Sequence, residues 1–241
     1  MLTLIRSTIF FVLLVITTTL FAIPIFTIGL LMPYRPRCQI ANAWGKVNLW
    51  LLKVICNLRY QVTGWENLPQ HEAIILSKHQ SAWETIALRG LLPPEQAWVL
   101  KRELLWVPLF GWALAAAEAI GIDRSSGRVA MRQVISKGIE RLKQGRLVII
   151  FPEGTRVAPG ERKRYGMGGA ILAEKSGYPI VPIAHNAGVF WRRRGVKKYP
   201  GTIQVVIGPA IETDGKSAVE LNAQVEEWIE STVATLPQAA D

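Results

Sequence analysis

The sequence predicts an α/β fold, in which a mixed or largely parallel sheet is flanked by helices and preceded by an N-terminal hydrophobic membrane helix or helical pair. Three observations carry this prediction. The first 34 residues are strongly apolar, strand-like and helical patterns alternate along the rest of the chain, and several apolar strands end in polar residues. The apolar period changes after Cys56, so we divide the chain into a membrane-associated helical segment, residues 1–56, and an α/β domain, residues 57–241.

The composition limits the classes of protein to consider. The chain has 241 residues and a net charge of +10, yet 50% of its residues are hydrophobic. Such an apolar chain is not a disordered basic protein, and its alternation of charged and apolar stretches argues against a transporter with many spans. The length fits one domain with an appendage. Cys38 and Cys56 are too few for a disulfide framework, so we expect both to be reduced and buried.

The excess of apolar residues lies at the N-terminus, where no charged residue occurs between Arg6 and Arg35. A helix needs about 20 apolar residues to span a bilayer, so this run is long enough. It continues past Pro24 without a small-residue cleavage site, which disfavours a signal peptide. Pro24 leaves two arrangements open: one kinked spanning helix, or two shorter helices that enter and leave the same leaflet. The basic residues after Tyr34 place the rest of the protein in the cytoplasm.

An amphipathic helix is predicted for Gln39 to Cys56, where apolar residues recur at helical spacing. Its Trp44 and Trp50 either lie at the level of the lipid headgroups or pack on the domain that follows. The sequence leaves both arrangements open.

Seven strands and two clear helices are predicted in the α/β domain. The helices cover Arg128–Lys143, which is ended by Gly145, and Ser217–Thr235. Active groups in such sheets gather beyond the carboxyl ends of the strands, so polar residues at those ends are the candidate site. The strand-like runs are Arg59–Val62, Ala73–Leu76, Ala97–Leu100, Ala119–Ile122, Leu147–Phe151, Ile180–Ala184 and Ile203–Ile207.

The first polar strand end carries His79 and, five residues later, Glu84. Positions five apart in a regular helix point about 140° apart, so the two side chains meet only if His79 lies in the turn before the helix. The carboxylate would then fix the histidine tautomer, and the other ring nitrogen would act as a general base. Ser81 and Glu84 also match a capping box, in which the glutamate only caps the helix. Both roles remain open.

Two further strand ends carry charged residues. Asp123 and Arg124 follow one apolar strand, and the segment from Glu153 to Arg156 follows another. Arginine suits bidentate recognition of phosphate, and glycine lets the backbone approach a ligand closely. His185 ends a third strand, but we expect it to be structural or solvated, as we do for His71.

Other chemistries find little support. The sequence contains no nucleophile elbow, no P-loop and no complete dinucleotide-binding fingerprint, and its three histidines are too far apart to form a metal cluster. A base without a nearby nucleophilic serine or cysteine indicates direct transfer, in which an activated substrate hydroxyl attacks an activated acyl group.

These residues resemble the membrane-bound glycerolipid acyltransferases, and specifically the bacterial 1-acylglycerol-3-phosphate (lysophosphatidic acid) acyltransferases. Four blocks carry the resemblance, in the order of that family and over residues from about 75 to 185. They are His79 with Glu84, the basic block from Lys101 to Arg124, the segment Phe151-Pro-Glu153-Gly-Thr-Arg156, and the apolar strand Ile180-Val-Pro182-Ile. One block departs from the family, because Glu84 stands where aspartate is usual.

The resemblance implies acyl transfer from a thioester of coenzyme A or acyl carrier protein to the sn-2 hydroxyl of lysophosphatidic acid, which yields phosphatidic acid. His79 would be the general base and Glu84 its orienting acid. The implied substrate-binding residues are Lys101, Asp123, Arg124, Glu153, Gly154, Thr155 and Arg156. The family's lysine after the third block is missing, so Arg162, Lys163 or Arg164 could supply its charge. No cofactor and no metal are expected.

The expected partners are membrane lipids, lysophosphatidic acid and the acyl donor, at the cytoplasmic face of a bacterial inner membrane. The absence of aromatic-rich RNA motifs and of a helix-turn-helix pattern argues against nucleic acid. Two alternatives remain. One is an acyltransferase for another lysolipid or a glycerol-phosphate acceptor, and the other is a non-enzymatic membrane-binding protein whose basic surface comprises Arg192–Arg194 and Lys197–Lys198.

Overall fold

The computed structural model describes residues 1–123 and 125–238. Its first helix, α1 (Leu2–Phe26), contains Pro24 in its last turn and is followed by a 3₁₀ turn at Ile28–Leu31. The segment Leu2–Leu31 is long and apolar enough to cross a membrane, by length and composition only. The second helix, α2 (Tyr34–Cys56), packs against α1, so the N-terminal segment is a helical pair that reverses direction after Phe26 rather than at Pro24.

Helix α2 starts five residues earlier than predicted and ends at Cys56, where Asn57 adopts a left-handed conformation. Its two tryptophans have different environments. The Trp44 indole donates a hydrogen bond to Thr18 Oγ1 on α1 (3.2 Å), whereas Trp50 is 60% exposed. Trp44 also packs against the apolar cluster of the α/β domain, as one of the two arrangements predicts, whereas a position of Trp50 at the lipid headgroups stays a prediction.

The predicted fold class is confirmed by a seven-stranded sheet in the order β1-β7-β6-β2-β5-β3-β4. All neighbouring strands are parallel except β6 and β7, which pair antiparallel. The strands are β1 (Leu58–Thr63), β2 (Ile74–Ser77), β3 (Gln96–Lys101), β4 (Ile120–Ile122), β5 (Leu147–Ile150), β6 (Ile180–His185) and β7 (Gly201–Ile207).

Helices cover both faces of the sheet. Successive residues of the central strands alternate between two apolar clusters, so the parallel strands are buried on both sides. Helices α2 and α3 pack on one face, and α5, α6 and α8 pack on the other. The helices after α2 are α3 (Trp83–Leu91), α4 (Phe110–Ala116), α5 (Gly127–Lys143), α6 (Gly168–Ser176), α7 (Ala187–Phe190) and α8 (Ala218–Thr235).

Two glycines bring α2 and α3 into backbone contact. A Cβ atom added to Gly45 of α2 would lie 2.5 Å from the backbone nitrogen of Gly90 in α3. No side chain fits between the two helices here, and α3 is thereby held directly against the N-terminal pair.

Lys198 is not part of the basic surface that the sequence predicts. Lys198 is only 2% exposed, and its ammonium lies 4.6 Å from the centre of the Trp191 ring and 5.3 Å from that of Phe10. Its backbone N–H also donates to Ser7 Oγ on α1 (2.8 Å). Lys198 therefore joins α1 to the α/β domain. Its ammonium is packed against aromatic rings and so does not reach lipid headgroups. Cys38 and Cys56 are free and buried, as predicted.

Candidate active site

The predicted contact between His79 and Glu84 is present at the carboxyl end of β2. His79 lies in the turn after this strand, and Glu84 lies in the first turn of α3. His79 Nδ1 and Glu84 Oε1 are 2.8 Å apart. The imidazole also stacks on Phe151, with ring centres 4.0 Å apart and planes 14° apart. The carboxylate and the phenyl ring together fix the orientation of His79.

Glu84 serves as an anchor for the turn as well as a partner for His79. Its Oε1 also accepts hydrogen bonds from the backbone N–H groups of Gln80 (2.8 Å) and Ser81 (2.7 Å). The reciprocal bond of a capping box is missing, because Ser81 Oγ accepts from Trp83 N instead. A complete box does occur at the start of α8, between Ser217 and Glu220. Glu84 thus accepts from backbone N–H groups before α3, as a helix cap does, and also contacts the His79 ring.

The environment of Glu84 favours its ionised form. Burial by itself raises the pKa of this carboxyl, but attraction to the His185 ring when that ring is protonated at low pH, the hydrogen bond from His79 and the Ser81 N–H lower the pKa below its ordinary value. An ionised carboxylate only accepts hydrogen bonds, so Nδ1 of His79 carries the ring proton. Nε2 is then left as the basic nitrogen, which is the arrangement a general base requires.

His185 has a structural role. It is fully buried at the end of β6, its Nε2 lies 2.8 Å from the carbonyl oxygen of Lys78, and its Nδ1 accepts from Ala187 N. Burial lowers the pKa of His185, so the ring is neutral. His71 is exposed on a loop. Both observations agree with the structural or solvated roles expected for these two residues.

Glu153 lies behind the turn that carries His79. Its Oε2 accepts from the backbone N–H of His79 (2.9 Å), and its Oε1 lies 2.9 Å from Lys78 Nζ. Burial raises the pKa of Glu153 to about 7 against the opposing effect of Lys78. The sequence suggested that Glu153 shapes the substrate site, whereas its carboxylate contacts the protein's own backbone and Lys78.

A cavity of about 640 Å³ opens next to His79. One part of its wall is polar or cationic and includes Thr85, Lys101, Gly154, Thr155, Arg156, Arg193 and Arg194. Another part is apolar and includes Trp44, Trp98, Val99, Leu100, Leu104, Phe110, Leu114 and Phe151. The buried Arg89 also lines it, and its Nη1 has no hydrogen-bond partner among the described residues. The wall of the cavity thus combines cationic and apolar side chains with the imidazole of His79.

The predicted substrate-binding residues divide into three groups. Lys101, Gly154, Thr155 and Arg156 share the cavity with His79. Glu153 and Asp123 are not among its lining residues, and Asp123 pairs instead with Arg102 (2.8 Å) and with Ser125. Arg124 lies outside the described residues.

Sequence reasoning missed several residues of this site. Arg193 and Arg194, which the sequence places on a basic membrane-binding surface in the non-enzymatic alternative, both line the cavity, and Arg193 Nη1 donates to the carbonyl oxygen of Arg156 (2.9 Å). No local pattern indicates a role for Lys78, which is next to His79 in the chain. No group of three or more potential metal ligands occurs among the residues that the structure describes.

Comparison with known proteins defines the class of protein. The family model described as Acyltransferase matches residues 59–186, so the chain belongs to that family of enzymes. A protein of Pseudomonas aeruginosa named 1-acyl-sn-glycerol-3-phosphate acyltransferase is 45% identical over 236 residues, covering 96% of this chain and 91% of its own. One of the same name from Limnanthes alba is 30% identical over 85% of this chain and 73% of its own.

A solved structure supports the fold. The crystal structure of the 1-acyl-sn-glycerophosphate acyltransferase PlsC from Thermotoga maritima superimposes with a TM-score of 0.80 and covers 96% of this chain and 95% of its own. The two sequences are 24% identical. The likeness extends over the N-terminal helical pair as well as the α/β domain.

Proposed function

We propose that this protein transfers an acyl group from an acyl thioester to the sn-2 hydroxyl of 1-acyl-glycerol-3-phosphate, making phosphatidic acid for phospholipid synthesis. The observation that carries the proposal is His79, which is paired with the buried Glu84 and lines a cavity together with Lys101 and Arg156. The names of the relatives support the acceptor. A base, an anion-binding group and an apolar surface are what acylation of a lysophospholipid requires.

The reaction follows from the tautomer of His79. Nε2 accepts the proton of the acceptor hydroxyl as its oxygen attacks the thioester carbonyl, and Glu84 stabilises the imidazolium that forms. Collapse of the tetrahedral intermediate breaks the carbon–sulfur bond. The imidazolium returns its proton to the departing thiolate, so a free thiol leaves and the enzyme is restored. The protein itself is never acylated.

The phosphate of the acceptor is assigned to Arg156 and Lys101. Both are cationic, both share the cavity with His79, and guanidinium and ammonium groups form charge-assisted hydrogen bonds with phosphate. Lys101 is also paired with Glu103 (3.1 Å), an exposed ion pair that a phosphate can displace at little cost. Acyl-coenzyme A or acyl carrier protein supplies the thioester, and the proposed mechanism uses no cofactor and no metal.

We further propose that α1 lies along the cytoplasmic leaflet of the inner membrane rather than crossing the bilayer. Helix α1 contacts the α/β domain near both ends, at Ser7 through Lys198 and at Ile25 through the cluster with Ala113. These contacts are separated by 18 positions, or about 27 Å of helix, which is close to the thickness of the hydrocarbon core. A crossing helix would draw the buried Lys198 and its loop into the hydrocarbon.

Labelling of single cysteines tests this placement. We expect Leu2→Cys and Leu31→Cys, at exposed positions on either end of the segment, to react with a membrane-impermeant reagent from the same side of sealed vesicles. Labelling of one of them only after detergent is added would show a crossing.

Release of thiol from the acyl donor, dependent on the lysolipid, tests the activity. We expect His79→Ala to abolish release in purified protein without changing membrane association. His71→Ala is the matched control, since His71 is exposed and lies outside the cavity. An acceptor panel with both donors then separates lysophosphatidic acid from other lysolipids or glycerol phosphate. Retained turnover in His79→Ala would contradict the general-base assignment, and thiol release with no acceptor would contradict acyl transfer.

A further inference from the structure

A buried ammonium group behind the active-site turn is shared by two carboxylates. Lys78 Nζ lies 2.9 Å from Glu153 Oε1 and 2.6 Å from Glu230 Oε1, and the three side chains are between 0% and 7% exposed. The hydroxyl of Tyr165 donates to the same oxygen of Glu230 (2.8 Å). Glu230 belongs to α8, 152 residues away from Lys78. The C-terminal helix thus contacts the residue that immediately precedes His79.

The cluster carries more negative than positive charge. Other titratable groups close to it add little cationic charge: Arg162 lies 3.8 Å from Glu230 but is 69% exposed, and His185 is neutral. Glu226 also faces the cluster, where it accepts from the backbone N–H of Tyr165 (3.4 Å). Burial is the main cause that raises the pKa of Glu153 to about 7, Lys78 opposes it, and Glu230 adds to it. Glu153 therefore changes charge near neutral pH.

Protonation of Glu153 would weaken its hold on the active-site turn. One of its oxygens faces the Lys78 ammonium and the other faces the His79 N–H, so both oxygens face donors. A proton removes the negative charge, so the ion pair with Lys78 is lost and the remaining oxygen lone pairs accept from the His79 N–H more weakly. The backbone of His79 would then lose its fixed position relative to the substrate hydroxyl.

We propose that Lys78 and Glu230 are positioning residues that together set the charge of Glu153, and through it the placement of His79 in the cavity. The inference rests on the acyl transfer proposed above. It makes α8 a functional part of the active site, although no α8 residue lines the cavity.

The pH dependence of kcat distinguishes this role from a purely structural one. Glu230→Gln removes a negative charge next to Glu153, so we expect the acidic limb of the profile to move to lower pH. Lys78→Met removes the positive charge, so the limb should move to higher pH, with kcat at pH 7 reduced about tenfold. A charge within about 4–6 Å shifts a neighbouring pKa by roughly 1–3 units, which sets the size of both displacements. The KM for lysophosphatidic acid should change little.

The same change made in a Glu153→Gln variant tests whether Glu153 is the group whose pKa depends on Glu230. In Glu153→Gln the carboxyl can no longer titrate, so adding Glu230→Gln should leave the pH profile where it is. If Glu230 acted directly on His79, the displacement would persist in this background and the inference would be wrong. Glu227→Gln, at an exposed position of the same helix, is the control and should leave the profile unchanged.

The outcomes separate the inference from the function on which it rests. Absence of lysolipid-dependent thiol release by the wild type would overturn both. If the wild type is active but the acidic limb of the kcat profile does not move in Glu230→Gln, only the positioning role is overturned. The same holds if Glu230→Gln lowers kcat equally at every pH. Should Lys78→Met fail to fold, the Glu230→Gln profile and its Glu153→Gln background decide the question alone.

Discussion

Replacement of Glu84 by glutamine keeps an acceptor beside His79 but removes its charge. The amide oxygen can still accept from Nδ1 and from the N–H groups of Gln80 and Ser81, so the turn should remain folded. What disappears is the ion pair formed when His79 takes up the substrate proton. Removing one partner of a buried ion pair costs about 3–5 kcal/mol, and the cost here falls on the transition state. We therefore expect kcat to fall about 10²–10⁴-fold.

The assay is steady-state release of thiol by the purified protein, with lysophosphatidic acid as acceptor. Glu84→Asp is the matched comparison, because it keeps the charge and shortens the side chain by one methylene. The kcat of Glu84→Asp should fall about tenfold or less. The melting temperature of Glu84→Gln should stay within a few degrees of that of the wild type. A Glu84→Gln enzyme with a kcat within threefold of the wild type would refute the orienting role and leave Glu84 as a cap.

Three further predictions concern the phosphate, the charges and the helix contact. Arg156→Ala should raise the KM for lysophosphatidic acid about 10–100-fold, since a hydrogen bond between charged groups contributes about 1.5–3 kcal/mol; an unchanged KM would place the phosphate elsewhere. Burial raises the pKa of Glu118, but Arg146 and other nearby arginines outweigh burial and lower the pKa below its ordinary value. The ionised carboxylate therefore stabilises the fold above its ordinary pKa, and this contribution is lost at lower pH. Glu118→Gln should lower the melting temperature at pH 7 by about 2–4 °C, and this deficit should shrink as the pH falls through the lowered pKa of Glu118; a deficit of the same size when the carboxyl is fully protonated would contradict this. Gly45→Ala should reduce both stability and kcat by forcing α2 from α3, whereas Gly127→Ala, whose added Cβ meets nothing within 4 Å, should not; equal effects would contradict the close contact.

The seven strands were predictable because apolar runs bounded by polar residues are a local property of the chain. Their observed ends lie within two residues of the predicted ones. Helix α6 was not predicted, because it begins at Gly168 and Gly169, which have poor helical propensity. A Cβ on Gly169 would lie 2.6 Å from a methyl carbon of Leu76. Packing against β2 requires the glycine there, and such a contact cannot be read from local sequence.

In the candidate active site, too, contacts that are local in the sequence were predictable and tertiary contacts were not. His79 and Glu84 are five residues apart, so the turn that joins them could be inferred from spacing. The pairing of Lys78 with Glu230 depends on how α8 packs on the sheet, and the approach of Arg193 to Arg156 depends on the loop that follows α7. The inward direction of Glu153 and the burial of Lys198 likewise follow from tertiary contacts.

The backbone contact between Gly45 and Gly90 has a consequence for how the enzyme reaches its substrate. Helix α2 follows the apolar N-terminal segment, and α3 carries Glu84 in its first turn, so the close packing of α2 on α3 couples the position of the imidazole to that of the segment. On the proposed placement of α1 in the leaflet, the enzyme has a fixed reach above the bilayer. A lysolipid would then have to present its free hydroxyl at one particular height above the acyl chains, and an acceptor with a taller or shorter headgroup would be out of register even if its phosphate could bind.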